Sequence, residues 1–132
     1  MELKCIVVTP ERTVLEQSAM FVALPLYDGE YGIALSHTPM IGRLGSGELR
    51  IQKDGQIDRY YVSGGFVEVL NNTVSLLTDR ATPMAQITLE KAEAAMEAAK
   101  AKPFTTPEET KIRNAAMQEA RVMQRFAKKA TH

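Results

Sequence analysis

Apolar positions in the first two-thirds of the chain recur with period two, in short runs separated by turn residues. Leu3 to Val8 reads as a first strand, closed by Thr9-Pro10, and Thr13-Val14-Leu15 as a short second one. From Ala19 to Leu26 both parities are apolar, Phe21 and Ala23 on one face and Val22 and Leu24 on the other, which predicts burial on both sides. Asp28 to Ile33 is a glycine-punctuated hairpin. Ser36-His37-Thr38-Pro39 is a turn, because Pro39 cannot continue a central strand. Met40 to Leu44 is apolar. Gly47 to Lys53 is a strand that reverses at Asp54-Gly55, and the next strand begins at Gln56. The stretch from Tyr60 to Asp79 predicts three short strands in an antiparallel meander. Its reversals fall at Ser63-Gly64-Gly65 and at Asn71-Asn72, with Val67 and Val69, then Val74 and Leu76, facing inward. Many short strands at this spacing point to a β-sandwich or flattened barrel.

The period changes after Arg80. Thr82 to Gln86 reads as a linker. Thr88 caps a helix that runs through Lys102, with Leu89, Ala92, Met96 and Ala99 in one stripe and Pro103 as the stop. Thr106-Pro107-Glu108-Glu109 starts a second helix, with a capping threonine, proline at the first helical position and glutamate three residues after the cap. Its apolar face is Ile112, Ala116, Ala120, Met123 and Ala127. The connection over 103–106 is short, so the helices form an antiparallel hairpin. The expected division is therefore a sandwich over residues 1–85 and a helical hairpin over 86–132. The hairpin seam is mostly alanine. Burial yields about 0.8 kcal/mol per CH₂, whereas ordering costs about 1–2 kcal/mol per residue of backbone. So thin a seam predicts a unit that leans on the sandwich or on another protein, and changes between the two at small cost.

Charge sharpens the division. The 132-residue chain carries 16 basic and 16 acidic side chains. Residues 1–86 hold seven basic and ten acidic groups, and residues 87–132 hold nine basic and six acidic. A net charge of zero argues against nucleic acid as a partner. Cys5 is the only cysteine, which excludes an internal disulfide. No run approaches the roughly 20 apolar residues that span a bilayer. Nothing at the start reads as a signal peptide. Any membrane association is expected through a partner.

The chain offers little chemistry. It has no P-loop and no zinc-protease motif. One cysteine and two histidines do not make a zinc site, and no cofactor is expected. Ser63 before Gly64-Gly65 is not a nucleophile elbow, since Tyr61 stands where glycine is needed and a strand follows. Two other functions remain as alternatives: a hydrolase using Ser63 and His37, and a ligand-binding sandwich with a helical dimerisation arm.

Four segments, in order and spacing, carry a family resemblance: Asp28-Gly29-Glu30-Tyr31-Gly32-Ile33, Ser36-His37-Thr38-Pro39, Gly47-Glu48-Leu49-Arg50-Ile51, and Tyr61-Val62-Ser63-Gly64-Gly65-Phe66-Val67-Glu68-Val69. They closely resemble the epsilon subunit of F-type ATP synthases, and the terminal helices match in length and pattern. The resemblance implies a ten-stranded N-terminal β-sandwich and a C-terminal two-helix domain. It implies a non-catalytic rotor subunit of the central stalk that binds the gamma subunit and the ring of c subunits. It further implies that the helices regulate ATP hydrolysis against the alpha and beta subunits of the catalytic head. Glu30 and His37 become candidates for the ring contact. Arg121, Arg125, Lys128 and Lys129, with no acid after Glu119, become candidates for the head contact. The same cations also suit a helix C-terminus, where each stabilises by about 0.3–1 kcal/mol. The expected location is the cytoplasmic face of a bacterial inner membrane, with the plastid thylakoid as the alternative.

Some bacterial members of that family bind ATP through Ile or Leu, then Asp, two variable residues and Arg-Ala at the start of the first helix. The matching residues are Ile87-Thr88-Leu89-Glu90-Lys91-Ala92. Ile87 and Ala92 fit. Thr88 replaces the aspartate and brings no charge. Lys91 replaces the arginine and lacks its planar fork for phosphate oxygens. A further basic position of those members is Ala98, leaving Arg121 and Arg125 as the remaining phosphate candidates. Calorimetry on the isolated chain is therefore expected to give a dissociation constant for ATP no tighter than about 1 mM, near −4 kcal/mol. A micromolar value contradicts this.

Overall fold

A computed structural model describes residues 2–130, with side chains described through Lys128. It divides into two compact units at Pro83/Met84. The first contains ten strands: β1 (Leu3–Val8), β2 (Thr13–Ala19), β3 (Phe21–Leu26), β4 (Gly29–Ala34), β5 (Met40–Arg43), β6 (Ser46–Lys53), β7 (Gln56–Ser63), β8 (Phe66–Leu70), β9 (Thr73–Leu77) and β10 (Arg80–Pro83). They form two five-stranded sheets, ordered β2-β1-β9-β8-β5 and β10-β7-β6-β3-β4. All named pairings are antiparallel except β1 with β9. The core between the sheets holds Leu3, Cys5, Val7, Val22, Leu24, Ile33, Leu49, Ile51, Val62, Val67, Val69, Val74 and Leu76. Burial pushes the Cys5 thiol up to about 12.

The hairpins at Asp54-Gly55 and Asn71-Asn72 turn as the sequence predicts. All four residues have positive φ (53°, 78°, 50° and 60°), the backbone that a two-residue hairpin demands. β2 runs four residues past the expected end. It is an edge strand paired with β1 along its length, so its polar Glu16, Gln17 and Ser18 do not stop it. The expected linker 82–86 is instead the end of β10 and a short 3₁₀ turn, Met84–Gln86. Pro83 is tolerated there because β10 is also an edge.

The Tyr60–Asp79 meander is a correction. β7 pairs with β6 and β10, whereas β8 pairs with β9 and β5 in the other sheet. Ser63-Gly64-Gly65 is therefore a crossing between sheets. Two further crossings meet it. Leu44-Gly45 joins β5 to β6, and Thr78-Asp79 joins β9 to β10. Leu44 N–H donates to Gly65 O (2.8 Å), Gly64 N–H to Gly45 O (3.1 Å) and Asp79 N–H to Ser63 O (3.3 Å). The buried Thr78 hydroxyl lies 3.2 Å from Ser63 O and 3.1 Å from Arg80 O and donates its single proton to that pair. The approach is so close that a Cβ on Gly65 (φ 104°) would stand 1.9 Å from Leu77 O.

The second unit contains α1 (Leu89–Lys100) and α2 (Pro107–Ala130), which pack together. The connection between them is too short to carry the chain back along α1, so the packing is antiparallel. Thr88 Oγ accepts from Lys91 N–H (3.1 Å), and Thr106 Oγ accepts from Glu109 N–H (3.1 Å), so both caps form where the sequence places them. The Glu109 carboxylate accepts from the Thr105 hydroxyl (2.7 Å), which draws its pKa below the ordinary value. α1 ends at Lys100, two residues before the expected end. Ala92, Met96 and Ala99 of α1 and Ala120, Val122 and Ala127 of α2 are buried. Leu89 and Ile112, expected in the apolar stripes, are 39% and 60% exposed. Leu89 is the first residue of its helix, at the end of the stripe. Ile112 reaches Ala120 by two steps of four residues, which at 100° per residue places it about 80° around the helix from it.

Gly65→Ala is expected to destabilise the chain by at least about 3 kcal/mol, combining backbone strain with the clash at Leu77. Denaturant midpoints measure this. A loss of unfolding free energy below about 1 kcal/mol, from the midpoint and slope together, contradicts the account of the crossing.

Candidate functional site

The candidate surfaces of the first unit are built on β4 and its flanking turns. Gly32 lets the Phe21 ring lie across the strand, since a Cβ there would stand 2.6 Å from the ring. Glu30 and Tyr31 are neighbours on β4 and so point to opposite faces. The Glu30 carboxylate pairs with Arg50 of β6. Arg50 also meets Glu48 (3.3 Å), and Glu48 meets Arg59 of β7 (2.9 Å). The hydrogen bond that Arg50 donates to the Glu30 carboxylate holds the guanidinium pKa above its ordinary value. Tyr31 turns toward the next loop. Its hydroxyl lies 2.6 Å from His37 Nε2, with the two rings edge to face at 5.5 Å. Thus Glu30 belongs to an ion-pair row and His37 to a tyrosine contact, one on each side of β4. Glu30 lies near the start of the strand and His37 beyond its end.

Neither arrangement makes a hydrolase. Ser63 Oγ lies 3.3 Å from Ser46 Oγ, its register partner, and both His37 ring nitrogens are engaged by Tyr31 and by the Thr38 carbonyl. Among the described residues, no group of three or more His, Cys, Asp or Glu side chains stands ready for a metal, and no helix is long and apolar enough to cross a membrane.

The outer face of the β2-β1-β9-β8-β5 sheet carries a feature that sequence reasoning missed. Arg43, Phe66, Leu77 and Val8 lie in one cross-strand row, and Ile41, Glu68, Ser75 and Ile6 in the next. Ile41, Phe66, Leu77 and Leu70 are 76%, 59%, 57% and 45% exposed. Beside them a shallow hollow of about 400 Å³ is lined by Pro39, Met40, Ile41, Glu68, Val69 and Leu70. Arg43 also stacks over the exposed Tyr27 ring at 4.7 Å. The signal was present in β8, where Phe66 and Leu70 occupy positions that alternation reserves for polar residues. Large apolar side chains gathered on one exposed face in this way are characteristic of interaction surfaces.

In the second unit Ile87 and Ala92 are buried, so they serve packing. Lys91, Arg121, Arg125 and Lys128 are exposed. Arg121 and Arg125 stand one turn apart on α2. The side chain of Lys129 lies outside the described residues.

Residues 2–84 match the family model of the ATP synthase delta/epsilon chain β-sandwich domain. The ATP synthase epsilon chain of Rhodopirellula baltica is 46% identical over 92% of this chain and 94% of its own length. That of Desulfitobacterium hafniense is 40% identical over 91% of this chain and 90% of its own. Among solved structures, a chain of the Euglena gracilis mitochondrial ATP synthase superposes with a TM-score of 0.80 at 23% identity, covering 99% of this chain and 82% of that one. A chain of the Tetrahymena thermophila mitochondrial ATP synthase central stalk and c-ring gives 0.75 at 13%, covering 96% and 97%. At those identities the structures speak to the fold, and the relatives to the family. The chain belongs to the family of ATP synthase epsilon chains, whose β-sandwich domain it carries at residues 2–84.

Proposed function

We propose that this chain is a non-catalytic rotor subunit of the central stalk in a proton-translocating ATP synthase. The sandwich, residues 1–85, is its docking domain. The observation that carries this reading is the exposed apolar face formed by Ile41, Phe66, Leu70 and Leu77. A subunit held permanently against a stalk needs such a face, whereas a free-standing ligand-binding sandwich does not. The gamma subunit is its partner. Glu30 and the turn bearing His37 meet the ring of c subunits, so the chain couples proton flow to the catalytic head without touching nucleotide chemistry. It binds no nucleic acid. It sits at the membrane only through the complex, on the cytoplasmic face of a bacterial inner membrane.

The helical hairpin, residues 86–132, is the regulatory part. Its buried positions are largely alanine. That leaves little free energy to hold it in one place and suits two docked states of similar energy. The exposed Arg121, Arg125 and Lys128, together with Lys129, give α2 the charge to meet acidic segments of the alpha and beta subunits and oppose ATP hydrolysis. Ile87 and Ala92 are spent on packing, and Lys91 with Arg121 and Arg125 makes a poor phosphate site, so ATP does not hold the hairpin down.

Replacing both Phe66 and Leu77 by serine is expected to weaken binding to the gamma subunit at least tenfold, because burying one such side chain contributes about 1.5–3 kcal/mol. The isolated variant should melt where the parent does, since both side chains are already exposed. Parent-like binding by the double variant overturns the docking face.

Replacing Arg121, Arg125, Lys128 and Lys129 by alanine is expected to relieve inhibition of ATP hydrolysis as fully as truncation after Ala85 does. Raised salt should mimic it, with charges screened over about 10 Å at 0.1 M. A quadruple variant that inhibits like the parent removes the electrostatic mechanism and leaves a steric one.

A further inference from the structure

The turn over residues 36–39 is held more firmly than its sequence requires. Ser36 has a left-handed backbone (φ 64°), unusual for a residue with a Cβ. Its N–H donates to Asn72 Oδ1 at 2.7 Å, across from the β8–β9 hairpin. Asn72 is itself left-handed (φ 60°), and its carbonyl accepts from Lys4 N–H of β1 (2.9 Å). One asparagine thus ties the turn to two strands of the sheet. On the other side, His37 Nδ1 lies 2.6 Å from Thr38 O, and Nε2 lies 2.6 Å from the Tyr31 hydroxyl. A carbonyl oxygen only accepts, so Nδ1 carries the proton. In the neutral ring Nε2 then has only a lone pair, and the Tyr31 hydroxyl donates to it. The Tyr31 ring and Leu35 are packed against the core, so the whole arrangement is anchored from beneath.

We propose that Tyr31 and Asn72 are positioning residues of the docking turn: they fix His37 as its Nδ1–H tautomer and hold residues 36–39 in one conformation for the c-ring. The docking half of this rests on the function proposed above. With both ring nitrogens engaged inside the chain, the imidazole works as a strut. The surface offered to the ring is the exposed Ser36, Thr38 and Pro39. A turn ordered in advance loses less conformational freedom when it docks.

Two measurements test this. The first is ¹⁵N NMR of the imidazoles in the full chain, at a pH where they are neutral. His37 is expected to show a protonated Nδ1 and a bare Nε2, and Tyr31→Phe, which removes only the hydroxyl, is expected to move the Nε2 resonance. A parent protonated at Nε2, or unmoved resonances in Tyr31→Phe, overturns the assignment. The second is titration of each full-length variant into complexes depleted of this subunit, read as restored coupling of proton flow to ATP synthesis. Tyr31→Phe and Asn72→Gly are each expected to need about fivefold more protein, the effect of one lost hydrogen bond. Glycine keeps the left-handed turn at residue 72, and Asn72→Asp, which keeps the acceptor, should titrate like the parent. Parent-like titration of Tyr31→Phe and Asn72→Gly beside an impaired His37→Ala overturns the positioning inference alone. Parent-like titration of both His37→Ala and Glu30→Lys overturns the ring contact and the inference with it.

Discussion

The sandwich depends on the place where three crossings between its sheets meet and hydrogen-bond to one another. Leu44-Gly45, Ser63-Gly64-Gly65 and Thr78-Asp79 each carry the chain from one sheet to the other. Each leaves backbone groups without ladder partners, and each supplies what the others lack. Gly65 allows the approach, because a Cβ there would collide with Leu77 O, and the buried Thr78 hydroxyl lies between the carbonyls of Ser63 and Arg80. This junction ties together the connections β5–β6, β7–β8 and β9–β10.

Register sets what the surface displays. Once Val67 and Val69 face the core, Phe66 and Leu70 must face outward, and pairing with β5 and β9 places Ile41 and Leu77 beside them. The apolar face is thus a consequence of strand alternation combined with an unusual choice of residues at the outward positions. A one-residue slip would bury it and expose the valines. The opposite end of β8 is closed by Asn71-Asn72, and there the same hairpin reaches across to hold Ser36. Both ends join the two layers: three crossings at one, and at the other the turn beside His37, which carries the chain from β4 to β5.

The helical unit is built on a different balance. Its caps are strong and local: Thr88 and Thr106 each satisfy a backbone donor of the first turn. Its seam is weak, because Ala92, Ala99, Ala120 and Ala127 bury little surface. Helix formation and helix placement are therefore separate matters here. The first is secured by sequence-local groups, and the packing of the two helices rests on a seam of mostly small side chains.

The sequence by itself determined several features that arise within a few residues. Asp54-Gly55 and Asn71-Asn72 turn because their backbones reach positive φ, and the helices start at Thr88 and Thr106 because a hydroxyl three residues back accepts an N–H. The inward faces of the strands, and so the sandwich class, follow from period two. Only the tertiary structure decided which strands pair beyond those hairpins. Ser63-Gly64-Gly65 looks locally like a hairpin, but its glycines serve a close approach to Leu77, and β7 and β8 belong to different sheets. The partners of Glu30 and Ser36 were likewise illegible, since Arg50 lies 20 residues along the chain from Glu30 and Asn72 lies 36 from Ser36. The pairing of distant strands and the choice of ion pairs depend on contacts between segments far apart in sequence, and periodicity carries no record of those.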